Sequence, residues 1–237
     1  MNKKLKITGI LLGAVVLFLF IQYRYMDKDV WNAWSLPLSG KIIIIDPGHG
    51  GVDGGANSGD IQEKDIALKI SLKLRDYLQQ QGALVQMIRE EDTDLASDGT
   101  RGYSKRKTED LKNRVKIINE SEADLYISIH LNAIPSPKWS GAQTFYYGSF
   151  KENEAVAKFI QDELRTNLGN TTRKAKAING VYLVKSANKP GALVEVGFLS
   201  NPQEKALLTQ DKYQEKIAAS IYTGISRFFS NESNPPD

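Results

Sequence analysis

The 237-residue sequence contains no cysteine. That excludes disulfide frameworks and every thiolate metal site, and leaves the redox compartment open. Histidine is almost as scarce, with only His49 and His130. Any metal must therefore be held by these two residues and by Asp or Glu. Charge of one sign is not in large excess either. A formal net charge of +3 favours approach to an anionic polymer but is too small to indicate nucleic acid, and no nucleic-acid partner is expected. There is no internal repeat and no sign of a second domain, and nothing calls for more than a monomer. The length suits one domain of about 180 to 200 residues with an appendage.

The appendage is N-terminal. Lys3, Lys4 and Lys6 precede an apolar run from Ile7 to Ile21. Basic residues before an apolar core read as an export signal, although the run is short of the about 20 residues a spanning helix needs. Tyr23 and Tyr25 extend it toward a membrane interface, and no A-x-A cleavage site follows. Residues 1–26 are thus expected to be a signal or membrane-anchor segment, either cleaved or retained. Residues 27–40 are expected to be a linker, 41–230 the folded domain and 231–237 a flexible tail.

Four consecutive isoleucines, Ile42 to Ile45, mark a strand over 41–46 buried on both faces. A Gly-rich loop follows. Ile66, Ile70, Leu74, Tyr77 and Leu78 recur at helical spacing up to Gly82. Further strands are expected over 83–88, 125–130, 143–147, 181–184 and 192–196. Helices are expected over 108–121, 152–168 and 213–229, and residues 90–108 read as a basic, mobile excursion. The alternation predicts an α/β fold: a mostly parallel twisted sheet of about six strands flanked by helices.

In such folds the functional crevice lies outside the carboxyl ends of the strands. His49 follows the first strand, His130 ends another and Glu195 lies near the end of the last. Glu63 opens the first helix. Two imidazoles, one carboxylate and a water make a catalytic zinc site, with a second carboxylate as proton shuttle. Spacing alone does not say which glutamate is ligand and which is base. Each residue also has a structural explanation. His49 can serve a tight turn, and the glycines a phosphate, though the P-loop lysine is missing. His130 can be a core histidine, and Asp60 to Glu63 has the spacing of a capping box. Glu195 is hardest to explain structurally, because a carboxylate in a buried strand costs several kcal/mol unless paired or metal-bound.

Four ordered blocks carry a resemblance. Ile45-Asp46-Pro47-Gly48-His49-Gly50-Gly51, then Glu63, then Ser128-Ile129-His130-Leu131-Asn132-Ala133, then Val194-Glu195-Val196-Gly197-Phe198-Leu199-Ser200-Asn201 resemble the motifs of the zinc-dependent N-acetylmuramoyl-L-alanine amidases (amidase type 3). The resemblance spans residues 40 to 229. It implies one zinc ion held by His49, Glu63 and His130, with Glu195 as catalytic glutamate and Asn132 as a substrate contact. It also implies hydrolysis of the amide joining N-acetylmuramic acid to L-alanine in peptidoglycan. Only Leu131 to Gly141 separates the second histidine motif from the next strand, too short for the occluding helix of some relatives, so an open site is expected unless an activator protein controls it.

The layout, with a hydrophobic N-terminus and no wall-binding module, is similar to the germination-specific branch of the family in Bacillus-type spore formers. That implies export to the forespore intermembrane space, attachment through the N-terminal segment, and a part in forming the muramic δ-lactam of the spore cortex. Two other readings remain. One is a zinc peptidase or carboxypeptidase, for which Arg89, Arg114 or Arg173 would bind a terminal carboxylate. The other is a non-catalytic wall-binding module.

Overall fold

The computed structural model describes residues 11–20, 36–230 and 232. Residues 11–20 are helical, and no helix among the described residues is long and apolar enough to cross a membrane. The remainder of the expected 1–26 segment, and most of the expected linker, lie outside the described residues. The domain proper begins by Pro37. Leu38, at the end of the expected linker, is fully buried, and its N–H donates to Gln81 O at 3.0 Å.

Six strands form the main sheet: β1 (Ile42–Pro47), β4 (Leu84–Met87), β5 (Leu125–Asn132), β6 (Gln143–Tyr146), β7 (Lys176–Ala177) and β8 (Gly191–Phe198). Two two-residue strands, β2 (Asn57–Ser58) and β3 (Ile61–Gln62), make a separate small ribbon in the Gly-rich loop. The main order is β4-β1-β5-β8-β6-β7. The first four run parallel, while β6 pairs antiparallel with β8 and carries β7 parallel to itself. This is the expected α/β architecture.

The isoleucine run explains the two-sided burial. Ile43 and Ile45 face one hydrophobic cluster and Ile44 the other, all three inaccessible to solvent. On the first face lie α1 (Glu63–Gln80), α3 (Lys151–Leu168) and α6 (Asp211–Phe229), with α6 packed on both of the others. The opposite face carries α2 (Tyr103–Glu120) and α4 (Tyr182–Ser186), which pack on each other. The remaining helix, α5 (Pro202–Leu208), follows β8.

Two expectations are corrected, and one helix is added. Residues 181–184 are not a strand: Val181 caps α4, and Leu183 and Val184 are buried by it. A four-residue apolar run does not separate strand from helix by periodicity, and the sixth strand is instead the short β7. The helix expected from residue 108 begins at Tyr103, so Arg106 and Lys107 belong to its first turns and not to a loop. Arg106 is bound to Asp94 and to the carbonyls of Ser97 and Thr100, which anchors the excursion. Finally, α5 went unread, although its start is signalled by Asn201-Pro202: the Asn201 side chain accepts the N–H groups of Gln203 and Glu204, with Pro at the first turn.

Candidate active site

The carboxyl ends of β1, β5 and β8 meet at one edge of the sheet, and the chemically competent side chains gather there. His49 sits just past β1 in a left-handed conformation (φ 59°), uncommon for a residue with a Cβ. Two buried arginines hold this turn from below. Arg114 donates to Asp46 Oδ1 (2.6 Å), Asp110 Oδ2 (2.8 Å), Pro47 O (2.9 Å) and His49 O (2.6 Å). Arg89 donates to Pro47 O (3.0 Å) and Gly48 O (2.8 Å), and also to the carbonyls of Lys64 and Glu91. Three successive loop carbonyls are thus satisfied by cations and the backbone around His49 is pinned. Burial and the neighbouring Arg114 charge lower the Arg89 pKa to about 10.

Glu63 is the first residue of α1, but it does not cap that helix, whose N-cap Gln62 makes no side-chain cap bond. The capping-box explanation therefore does not apply. Instead Glu63 is buried and faces both imidazoles. Its Oε1 lies 2.9 Å from His130 Nδ1 and accepts the Leu131 N–H at 2.8 Å. Its Oε2 lies 3.2 Å from His49 Nε2 and accepts the Ala56 N–H at 2.7 Å. The two rings stand edge to face with centroids 5.0 Å apart. One ligand atom each from His49, Glu63 and His130 fall within 4.8 Å of one another, so the trio can hold a metal ion.

Glycine makes this approach possible. A Cβ on Gly48 would run into the His130 imidazole, and one on Gly55 into Glu63 Oε2 and the His49 ring. On its far side, His49 Nδ1 is 2.8 Å from Asp53 Oδ2. Burial opposes charge on His49, but its bonds to Asp53 and Glu63 prevail and raise it to about 9. Against the effect of burial, bonds from His130 and then His49 hold Glu63 well below the usual carboxylate range, and bonds from His49, Lys107 and Tyr103 do the same for Asp53.

Glu195 stands in β8 directly beside His130 in β5. Its Oε2 is shielded from water and has no hydrogen-bond partner among the described residues. Burial, reinforced by the Glu63 charge and opposed by the two histidines, raises its pKa to about 7. Asn132 ends β5 beyond a register shift and pairs with Phe198; it is half-buried. No helix intervenes between β5 and β6, and the side chains of His49 and His130 remain 17 % and 21 % exposed, so the edge is open as expected. The sequence reading missed Asp53 and the structural use of Arg89 and Arg114. The four-residue spacing of Asp110 and Arg114 was the one local signal for the latter.

The model of one protein family, described as N-acetylmuramoyl-L-alanine amidase, matches residues 43–227. The chain belongs to this amidase family. The germination-specific N-acetylmuramoyl-L-alanine amidase of Bacillus subtilis is 63% identical over 237 residues, covering 100% of both chains. The amidase LytC of the same organism is 33% identical over 86% of this chain but only 38% of its own length. Among solved structures, the CwlD amidase of Clostridioides difficile, determined in complex with the GerS lipoprotein, superposes with a TM-score of 0.78 at 43% identity, covering 81% of this chain and 99% of that one. The arrangement around His49, Glu63, His130 and Glu195 thus sits in an amidase scaffold matched over its whole length.

Proposed function

We propose that this amidase uses one zinc ion to hydrolyse the amide between the lactyl group of N-acetylmuramic acid and L-alanine of the peptidoglycan stem peptide. One observation carries the reading: His49, Glu63 and His130 converge within 4.8 Å beside a carboxylate, Glu195, whose Oε2 has no hydrogen-bond partner among the described residues. Three neutralisable N and O donors with a free carboxylate alongside suit a catalytic zinc site and do not suit a structural one, which would be closed by a fourth ligand. When bound, zinc would acidify a water and polarise the scissile carbonyl.

The chain's own residues supply the rest. Glu195 takes the proton of the attacking water and delivers it to the departing nitrogen, since an amide nitrogen leaves poorly unless protonated. A carboxyl with a pKa near neutrality suits both halves of that task. Asp53 keeps the His49 ring oriented, and Arg89 and Arg114 keep its backbone in place. Asn132, at the same edge, contacts substrate.

The biological setting in this reading is the spore cortex, where removal of the peptide precedes muramic δ-lactam formation. Residues 1–26 direct export and hold the enzyme at the membrane facing the forespore intermembrane space. A protein partner belongs to this reading, as the lipoprotein complex of the Clostridioides difficile relative suggests.

The test incubates the full-length zinc-loaded protein with peptidoglycan, with and without chelator, and identifies fragments by mass spectrometry. Intact stem peptides with a new L-alanine amine, lost on chelation and in Glu195→Ala, are expected. Free single amino acids would instead establish the peptidase. Arg89 and Arg114 are already committed to backbone and carboxylate partners, which leaves that alternative only Arg173.

A further inference from the structure

The strand register extends the site sideways. His130, Glu195 and Gln143 are direct neighbours across β5, β8 and β6, so their side chains share a face and follow one another at about 4.8 Å. Gln143 then leads outward: its Oε1 accepts from Arg173 Nη1 at 3.1 Å and its Nε2 donates to Lys174 O at 3.0 Å. Arg173 Nε donates to Ser140 O at 3.0 Å. The guanidinium also lies over two aromatic rings, 5.4 Å from the Trp139 centroid and 5.2 Å from that of Phe198. It is therefore held at two nitrogens and packed by two rings, while no hydrogen bond engages Nη2 among the described residues.

This arginine lines a cleft of about 590 Å³ together with Lys138, Trp139, Ser140, Asn170 and Thr171. The described lining holds two cations and no carboxylate. Glu204, whose pKa burial raises and the Arg173 charge tends to lower, is buried and accepts from the N–H groups of Gly141 and Phe198 and from Asn170. Trp139 remains 52% exposed, and an exposed large aromatic beside a fixed arginine is typical of a recognition surface.

We propose that this cleft is the subsite for the stem peptide and that Arg173 pairs with a free carboxylate of that peptide; the inference rests on the amidase reading above. Charge decides which arm of the substrate enters. Once its lactyl carboxyl is tied up in the scissile amide, the sugar side is neutral, whereas the stem peptide carries free carboxylates. A cationic cleft with a pre-positioned guanidinium edge fits the latter. The reach agrees. A carboxylate two residues past the scissile nitrogen lies about 7 Å along an extended chain, and the row from Glu195 through Gln143 toward Arg173 covers between one and two strand spacings, about 5 to 10 Å. Trp139 then covers the apolar side of the bound peptide.

The test compares a soluble muropeptide with the same compound whose peptide carboxylates have been converted to amides, using full-length zinc-loaded protein. Amidation is expected to raise KM about 10- to 100-fold, the worth of a charged hydrogen bond, with kcat nearly unchanged. Arg173→Gln should show that loss on the free-carboxylate compound and no further loss on the amidated one, and Arg173→Lys should recover part of it. Equal losses on both compounds, or a fall in kcat with KM intact, would mean that Arg173 only supports the loop and would overturn the proposal. A second measurement needs no turnover: equilibrium binding to the Glu195→Gln protein of free stem peptide, amidated peptide and peptide-free disaccharide. Preference for the free-carboxylate peptide supports the cleft assignment, and preference for the disaccharide refutes it. If wild type releases no peptide from either muropeptide, the fault lies with the amidase reading or with the protein partner it includes, while the binding series still decides the cleft.

Discussion

Asp53 Oδ2 lies 2.8 Å from His49 Nδ1, and the same carboxylate meets Lys107 Nζ at 2.9 Å and the Tyr103 hydroxyl, which donates to Oδ1, at 2.9 Å. These bonds from His49, Lys107 and Tyr103 hold Asp53 ionised against the effect of burial. An ionised carboxylate only accepts, so Nδ1 of His49 keeps a proton, and Nε2, which faces Glu63, is the nitrogen left to a metal once its own proton is displaced. The tautomer of a candidate ligand is thus set by a residue on the side away from the metal.

Replacing Asp53 should therefore weaken zinc binding without unfolding the chain. Asp53→Ala is expected to lower zinc affinity about 10- to 100-fold, and Asp53→Asn less, because its amide oxygen still accepts from Nδ1. Competition with a chromogenic chelator measures both. Unchanged affinity in Asp53→Ala would remove Asp53 from any role in orienting His49.

Arg114 is 1 % exposed and bound to the buried carboxylates of Asp46 and Asp110. Arg114→Met leaves two carboxylates buried without their cation and should cost about 3–5 kcal/mol in denaturant unfolding. A loss of less than about 1 kcal/mol would show that water reaches these carboxylates.

Asp46 ties stability to pH. Burial alone would raise its pKa, but the Arg114 charge, that of His130 and the Ser128 hydroxyl reverse this and hold it below the ordinary 3.8. With the folded value lower than the unfolded one, its contribution is complete above about pH 4 and lost as pH falls through the folded pKa. Asp46→Asn should be less stable at neutral pH, yet lose less further stability than wild type on acidification below about pH 4. Parallel midpoint-against-pH curves for the two proteins would contradict this.

Glu195 separates activity from stability. Glu195→Gln is expected to reduce kcat about 10²- to 10⁴-fold with zinc content preserved. Its melting temperature should hold or rise, because a carboxylate whose shielded Oε2 has no partner among the described residues is replaced by a neutral group. Loss of zinc in this variant would move Glu195 into the metal's own ligand set.

Gly48 tests the packing that lets β1 and β5 bring their histidines together. A Cβ there would collide with the His130 ring, so Gly48→Ala should displace the imidazole and weaken zinc binding more than it lowers the melting temperature. The reverse order would mean that the glycine serves the fold before the site.

Much of this was legible along the chain because it depends on local pattern. Four isoleucines in a row require a strand with apolar material on both sides. The helical spacing from Ile66 to Leu78 requires an amphipathic helix, and their alternation restricts the topology to parallel strands whose carboxyl ends share an edge. His49, His130 and Glu195 fall at that edge by their place in sequence alone, and the ordered motifs around them pointed to the family. Tertiary structure decided what depends on contacts between distant segments. Glu63 turned from helix cap to partner of both histidines because β5 delivers His130 to its Oε1 across 67 residues of chain. The run 181–184 became a helix because the surface of α2 offered it a place that its four residues could not specify. Arg89 and Arg114, cationic candidates for a ligand in the sequence, are spent on loop carbonyls that fold over them, while Arg173 keeps a free edge. Hydrophobic periodicity is written in neighbouring residues, but the partner of a buried charge is chosen only when the chain closes around it.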